Sequence, residues 1–122
     1  MSGVLLWIGV GALGGAGAVA RVVLDAAVSA RAGRALPVGT FAVNVTGAMV
    51  LGLLSGLAVT GDALLLAGTA TLGSYTTFST WMFESQRLGE DGERAALAVN
   101  LAGSLAAGLG AAALGRAIGG TL

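Results

Sequence analysis

A run of hydroxyl side chains between residues 69 and 80 is the part of the sequence best suited to chemistry. It reads TATLGSYTTFST, and eight of its twelve residues carry a hydroxyl group. Hydroxyls, a glycine and β-branched threonines together disfavour an uninterrupted helix, so we expect a break near 73–77. Freed backbone carbonyls there can hold a dehydrated cation, whereas hydroxyl hydrogens and half-helix N-termini can face an anion. The run therefore predicts a path for a small ion.

Two asparagines lie in apolar surroundings elsewhere in the chain. Asn44 follows Thr40 by four residues, and Asn100 precedes Ser104 by four, which places each pair on one helix face. Burying such groups in a bilayer is costly unless they are paired or line a wet path. Each asparagine is therefore either a hydrogen-bonding link between helices or an ion ligand, and the residue types leave both open.

The overall composition places these residues in a membrane. Apolar residues make up 56% of the 122 residues and charged residues only 10%, whereas a typical soluble domain is about 25% charged. Cysteine and histidine are absent, which excludes disulfides, Cys- or His-bound zinc and any Cys- or His-based catalysis, so we do not expect an enzyme. A net charge of zero without lysine argues against nucleic-acid binding.

Charged residues divide the chain into four apolar windows, at 1–20, 35–61, 63–83 and 95–115. Each window is long enough for a membrane-spanning helix of roughly 20 residues. Ala18-Val19-Ala20 fits a signal-peptide cleavage site, but no Lys or Arg precedes the apolar run, which favours a first span. We therefore predict an all-α membrane protein with one domain of four transmembrane helices, at about 4–23, 38–59, 63–83 and 95–114.

The connections and small residues add two expectations. A segment at 22–34, a tight turn at 61–62 and a charged loop at 84–94 would join the spans. Small residues four apart let helices approach closely, and three pairs are expected to do so: Gly11 with Gly15, Gly52 with Gly56, and Ser104 with Gly108.

The arginines are distributed unevenly between the two sides. Only Arg116 lies on the side of the termini, whereas five flank the other two loops: Arg21, Arg31, Arg34, Arg87 and Arg94. The positive-inside tendency predicts that these loops are cytoplasmic and that both termini are outside.

Four segments of the chain resemble the conserved blocks of the CrcB/Fluc fluoride channels. They are GGAGAVAR at 14–21, PVGTFAVNVTGAMVLG at 37–52, GSYTTFSTW at 73–81 and VNLAGSLAAGLG at 99–110. The resemblance implies four-helix subunits of dual topology in the inner (plasma) membrane, assembled as antiparallel dimers with two pores at the subunit interface. It also implies passive export of cytoplasmic fluoride, which reduces fluoride toxicity.

The resemblance assigns roles to individual residues. Asn44 matches the pore asparagine, and Phe78 matches the first phenylalanine of the TTFSTF motif. Ser79 and Thr80 match the hydroxyls of the polar track beside it, and Arg21 matches the vestibule arginine. These groups suit fluoride, because amide and hydroxyl hydrogens can donate to the anion and aromatic ring edges carry partial positive charge.

The same motif implies a cation site and contains two departures from the family pattern. Gly73 and Thr76 match positions whose backbone carbonyls, from both subunits, hold a structural sodium ion at the dimer interface. Trp81 replaces the second phenylalanine, and Ser74 replaces a second glycine. An indole keeps a positive ring edge and adds an N–H donor, so Trp81 is expected to line the path, although its bulk could close one pore.

We weigh three functions, of which a fluoride channel is the leading hypothesis. A non-conducting or one-pore subunit of an antiparallel heterodimer is the alternative, because uneven arginines suit one fixed orientation and an inverted homologue as partner. A small proton-coupled drug exporter is less favoured, since it needs a carboxylate within the first span and Asp25 lies past its predicted end. The expected partners are fluoride, the lipid bilayer and a second subunit, in an antiparallel homodimer or heterodimer.

Overall fold

The computed structural model describes residues 2–33 and 35–122, and within these ranges it contains helices and no strand. The helices are α1 (Gly3–Ala32), α2 (Val38–Gly56), α3 (the consecutive segments Gly61–Leu64, Leu65–Leu72 and Gly73–Tyr75), α4 (Ser79–Glu90) and α5 (Arg94–Thr121). Because α3 and α4 are two parts of one span, the predicted all-α architecture of four helices is confirmed. The helices α1, α2 and α5 are each long and apolar enough to cross a membrane.

The first helix begins at a serine and ends at a glycine. Ser2 Oγ accepts the N–H of Leu5 at 3.3 Å, as an N-terminal cap does. Gly33 has a φ of 81°, and its N–H donates to the carbonyl of Ser29, which closes the helix in a backbone region that favours glycine. Between these ends α1 continues through Arg21 and beyond the predicted span at 4–23.

The helices α2 and α5 pack backbone against backbone. A Cβ atom added at Gly52 would overlap the carbonyl oxygen of Ala112, and one added at Gly115 would overlap that of Met49. Gly56 meets α5 in the same way. The predicted small-residue pair of Gly52 with Gly56 therefore lies in a helix contact, where only a glycine fits.

Three other glycines of the predicted small-residue pairs make no close helix contact within the described chain. A Cβ atom added at Gly11, Gly15 or Gly108 would have no described neighbour within 4 Å. The helix α1 instead approaches α3 at Gly17, where a Cβ would overlap the carbonyl oxygen of Thr71. Gly11 and Gly15 lie on another side of α1 from this contact, because residues four apart share a face and Gly17 is offset from both.

The third span is widened in α3 and broken before α4. In Leu65–Leu72 the turns are one residue wider than an α-helix, and the N–H of Gly73 donates to the carbonyl of Gly68, five positions earlier. The α3 helix ends at Tyr75, Thr76 is extended (φ −80°, ψ 161°), and α4 begins at Ser79. The span bends by 21°. The predicted break is confirmed and lies toward the C-terminal end of the predicted interval.

The charged segment after the third span is mostly helical. The helix α4 continues to Glu90, and α5 begins at Arg94, with Gly92 in the turn at a φ of 75°. The expectation of a charged loop at 84–94 was therefore wrong for residues 84–90, which are helical. Glu84 lies in α4, where it can face another helix.

Candidate functional site

An open groove of about 670 Å³ lies beside the break in the third span. Its walls come from α2, α3, the break and the start of α4. The lining comprises polar, aromatic, small and aliphatic residues: Asn44, Thr69, Thr76, Thr77, Phe78, Trp81, Gly47, Ala48, Gly68, Gly73, Leu51, Leu64 and Leu72. Among the described residues, no charged side chain lines the groove.

Asn44 in α2 is bonded to the backbone of the break. Its Oδ1 accepts the N–H of Thr77 at 2.8 Å, and its Nδ2 donates to the carbonyl of Thr77, also at 2.8 Å. One side-chain amide therefore satisfies both backbone groups of a non-helical residue, as buried polar groups require. An amide has two N–H hydrogens, so Asn44 keeps a second donor beside the groove. Of the two interpretations of this asparagine, the link between helices is thus the one with direct contacts.

These bonds release two backbone carbonyls. In a continuous helix the N–H of Thr77 would bond the Gly73 carbonyl, and the N–H of Thr80 would bond the Thr76 carbonyl. Here the first N–H bonds Asn44, and the second bonds Thr77 Oγ1 at 3.2 Å. Gly73 and Thr76 both line the groove. The predicted cation ligands are therefore two carbonyls that have lost their helical donors at the groove.

The aromatic wall consists of Phe78 and Trp81. The Phe78 side chain is 69% exposed, and its ring meets that of Trp81 edge to face, with centroids 5.8 Å apart and planes at 82°. Both rings line the groove. The expected aromatic wall is thus present as a geometric feature, with Phe78 as its more accessible member.

The indole N–H of Trp81 is bonded to another helix and is not a free donor at the groove. It donates to the backbone carbonyl of Asn100 in α5 at 3.0 Å. The Nδ2 of Asn100 donates to Ser85 Oγ at 2.8 Å, and Ser85 Oγ donates to the Trp81 carbonyl at 2.7 Å. Asn100 and Ser85 are both buried. This closed cycle of hydrogen bonds occupies the N–H that we expected to be a donor in the ion path. Trp81 therefore presents only its aromatic ring to the groove.

Ser79 and Thr80 lie in the first turn of α4, and neither is among the described residues that line the groove. Ser79 is exposed, with its Oγ 3.5 Å from Thr77 Oγ1. Arg21 is half-buried on α1, and its Nε is buried without a hydrogen bond to any described residue. The structure therefore brings together Asn44, Gly73 and Thr76 with the two aromatic residues, and leaves these three positions outside the groove.

The sequence did not single out three residues that organise this region. Thr77 is the residue of the break that bonds Asn44. Ser85 joins Asn100 to Trp81. Glu84 accepts a 2.5 Å hydrogen bond from Thr40 Oγ1. Thr40 is buried at 3% exposure. Because Thr40 and Asn44 share one helix face, the sequence indicated that both could contact a neighbouring helix. Spacing along the chain could not identify Glu84 and Thr77 as their hydrogen-bond partners.

Fold and site together define a small multi-pass membrane protein with an uncharged polar groove at a helix break. The chain belongs to the CrcB family, since the family model described as "CrcB-like protein, Camphor Resistance (CrcB)" matches residues 8–116. The family is one of ion channels and not of enzymes.

Curated relatives agree over most of the chain. A protein of Mycobacterium bovis named "Fluoride-specific ion channel FluC 2" is 52% identical over 113 residues, which cover 93% of this chain and 90% of that protein. A "Fluoride-specific ion channel FluC 1" of Symbiobacterium thermophilum is 44% identical over 119 residues, covering 93% and 96%. Another of Frankia casuarinae, also named FluC 1, is 43% identical over 121 residues, covering 92% and 94%.

Proposed function

We propose that this chain is the subunit of a fluoride-selective channel that lets cytoplasmic fluoride leave the cell passively. The observation that carries the proposal is the groove at the helix break, which offers amide hydrogens and aromatic edges without a fixed charge. A conducting path must bind its ion weakly and at several points. A charged arginine or lysine in the groove would hold fluoride too firmly, whereas uncharged donors can replace its water and still release it. The names of the relatives support fluoride as the ion.

Phe78 and Asn44 are the residues proposed to meet the anion first. The Phe78 ring is exposed in the groove, where its positive edge can face an anion. Asn44 supplies its second Nδ2 hydrogen, because the first is bonded to Thr77. Ser79 and Thr80 are proposed to extend the path along α4, and Arg21 to attract anions near the entrance.

An antiparallel dimer would complete the path and a sodium site. The groove is open, and its exposed aromatic and leucine side chains form a surface that a second copy can cover. Gly73 and Thr76 fit sodium, because hard cations prefer oxygen ligands and both carbonyls lack their helical donors. A Cβ at Gly73 would have its nearest described neighbour 4.0 Å away, so space is available there. Two carbonyls from each subunit would then surround one structural ion.

Fluoride efflux from proteoliposomes tests the proposal, with chloride as the control ion. Phe78→Ile and Asn44→Asp are expected to abolish fluoride flux or reduce it severely. Phe83→Ile is the matched control for Phe78→Ile, since Phe83 lies in α4, which Phe78 directly precedes, and is also largely exposed but is not among the described residues that line the groove. Parent-like flux in Phe78→Ile and Asn44→Asp would show that the path lies elsewhere.

A heterodimer is the second candidate, and the uneven arginines favour it. Five arginines flank one side and Arg116 flanks the other, which suits a single orientation better than two. In this case an inverted homologue would supply the second subunit, and this chain could serve one pore or none. Crosslinking and flux of the chain produced alone separate the two: an antiparallel homodimer that conducts fluoride would exclude the requirement for a homologue.

A further inference from the structure

Thr77 is the residue around which the third span is broken. Its N–H and carbonyl are both bonded to the Asn44 side chain, at 2.8 Å each, and its Oγ1 accepts the N–H of Thr80 at 3.2 Å. Each of these bonds replaces a bond of the regular helix. No role was assigned to Thr77 by the motif, although its groups have more contacts at the break than those of any predicted site residue.

The hydroxyl of Thr77 has a specific effect on Thr76. By accepting the N–H of Thr80, it keeps this donor away from the Thr76 carbonyl, which would be its partner in a helix. The Thr76 hydroxyl is itself unavailable to the groove, because it donates to the carbonyl of Leu72 at 2.9 Å. The backbone carbonyl is therefore the oxygen that Thr76 can offer to a ligand.

The backbone of Thr77 has the corresponding effect on Gly73. Asn44 Oδ1 takes the N–H of Thr77, and this leaves the Gly73 carbonyl without its helical donor. Carbonyls bonded within a helix are directed along the helix axis. Carbonyls released at a break in a membrane protein need another partner, which a protein cavity or an ion can provide.

We propose that Thr77 is a positioning residue for a monovalent-cation site formed by the Gly73 and Thr76 carbonyls. Its hydroxyl releases one carbonyl, and its backbone, held by Asn44, releases the other. Thr77 does not itself bind the cation. This role rests on the dimeric sodium site of the proposed function and not on fluoride conduction, because sodium is the cation and a second subunit is required to surround it.

Sodium-dependent thermal unfolding of the purified protein tests this role without measuring flux. Sodium chloride is titrated against choline chloride at constant ionic strength. Sodium is expected to raise the unfolding temperature of the parent protein. Thr77→Val, which has the same shape without the hydroxyl, should need roughly tenfold more sodium for half of this effect, the loss expected when one hydrogen bond near a binding site is removed. Thr77→Ser keeps the hydroxyl and should behave like the parent.

Thr46→Val is the matched control. It removes a hydroxyl that contacts the Tyr75 hydroxyl at 2.7 Å next to the break. The hydrogen bonds from the N–H of Thr77 to Asn44 and from the N–H of Thr80 to Thr77 Oγ1 remain, so the Gly73 and Thr76 carbonyls stay free of their helical donors. Its sodium midpoint should equal that of the parent. Asn44→Leu provides a second test if Thr77→Val does not fold. It removes the acceptor that holds the Thr77 N–H away from the Gly73 carbonyl, so it should likewise weaken the response to sodium.

Several outcomes would overturn the role of Thr77. One is that sodium and choline stabilise the parent protein equally. Another is that Thr77→Val, or Asn44→Leu in its place, has the same sodium midpoint as the parent. A third is that Thr46→Val shifts the sodium midpoint as much as that variant does. The proposed function fails separately: if the parent responds to sodium as expected but proteoliposomes release no fluoride, the positioning role stands and the channel assignment does not.

Discussion

The indole N–H of Trp81 donates to the backbone carbonyl of Asn100, 3.0 Å away across the contact between α4 and α5. That carbonyl lies in the widened turns of α5, Val99–Gly103. Ser85 closes the ring by joining the Asn100 side chain to the Trp81 carbonyl. The hydrogen bonds therefore hold the indole against α5 while its ring remains beside Phe78.

Replacing Trp81 with phenylalanine should separate these two contributions. The variant keeps an aromatic ring and loses the N–H, so we expect unfolding free energy to fall by about 1 kcal/mol and fluoride efflux to persist. Both are measurable on the same preparation, by denaturant unfolding in micelles and by efflux from proteoliposomes. Trp7→Phe is the control, since Trp7 is 67% exposed on α1. A severe loss of efflux would mean that conduction needs the indole itself.

Ser85→Ala should destabilise the protein more than its small change in volume implies. The substitution leaves the buried Asn100 Nδ2 without the acceptor it has in the structure. An unsatisfied buried donor costs about 1–3 kcal/mol. Ser55→Ala, at an exposed position of α2, is the comparison in unfolding experiments. Equal stability of the two variants would contradict a structural role for the hydrogen-bond ring.

Alanine substitution at two glycines of α1 should affect stability differently. At Gly17 the added methyl group would overlap the Thr71 carbonyl, whereas at Gly15 it would have no described neighbour within 4 Å. We expect Gly17→Ala to destabilise the fold by about 1–3 kcal/mol through overpacking, and Gly15→Ala to leave it unchanged. Thermal unfolding and size-exclusion profiles would show the difference. Sensitivity at Gly15 instead would indicate that a second subunit packs on that face.

The hydrogen bond from Thr40 to Glu84 should contribute strongly to the packing of α2 on α4. A bond to a charged group contributes about 1.5–3 kcal/mol, and Thr40 is buried. Thr40→Val should therefore lose about this much unfolding free energy, because it leaves the carboxylate without its donor. Thr40→Ser retains the hydroxyl and should lose much less. If both variants unfolded alike, the methyl group rather than the bond would be the source of stability.

The helix break shows how far residue types lead before geometry is needed. Hydroxyls, glycine and β-branched threonines between 69 and 80 predicted a break, and the structure contains one. The same pattern did not identify Thr77 as its centre, because five neighbouring residues have hydroxyls that could have played this part. The choice depends on which backbone N–H lies within reach of Asn44 in α2.

The positions of the charges predicted four spans, because placing Arg or Asp at the centre of a membrane helix costs about 2.5–3.5 kcal/mol per residue. That penalty acts locally along the chain, so a sequence reveals it directly. Helix ends follow a different rule: α1 passes through Arg21 and Asp25, and α4 passes through Glu84, since charged residues are compatible with helical geometry.

Tertiary structure alone decided where each polar group is used. The Trp81 N–H could have faced an ion, but it bonds Asn100, and Asn44 is bonded to Thr77. The sequence contains every donor and acceptor, yet a hydrogen bond forms only when two atoms lie about 3 Å apart with suitable direction. For residues on different helices, that distance is set by how closely the helices pack. Next to Asn44 in α2, for example, a Cβ atom at Gly47 would overlap the side chain of Thr76 in the break, so the close approach there requires glycine.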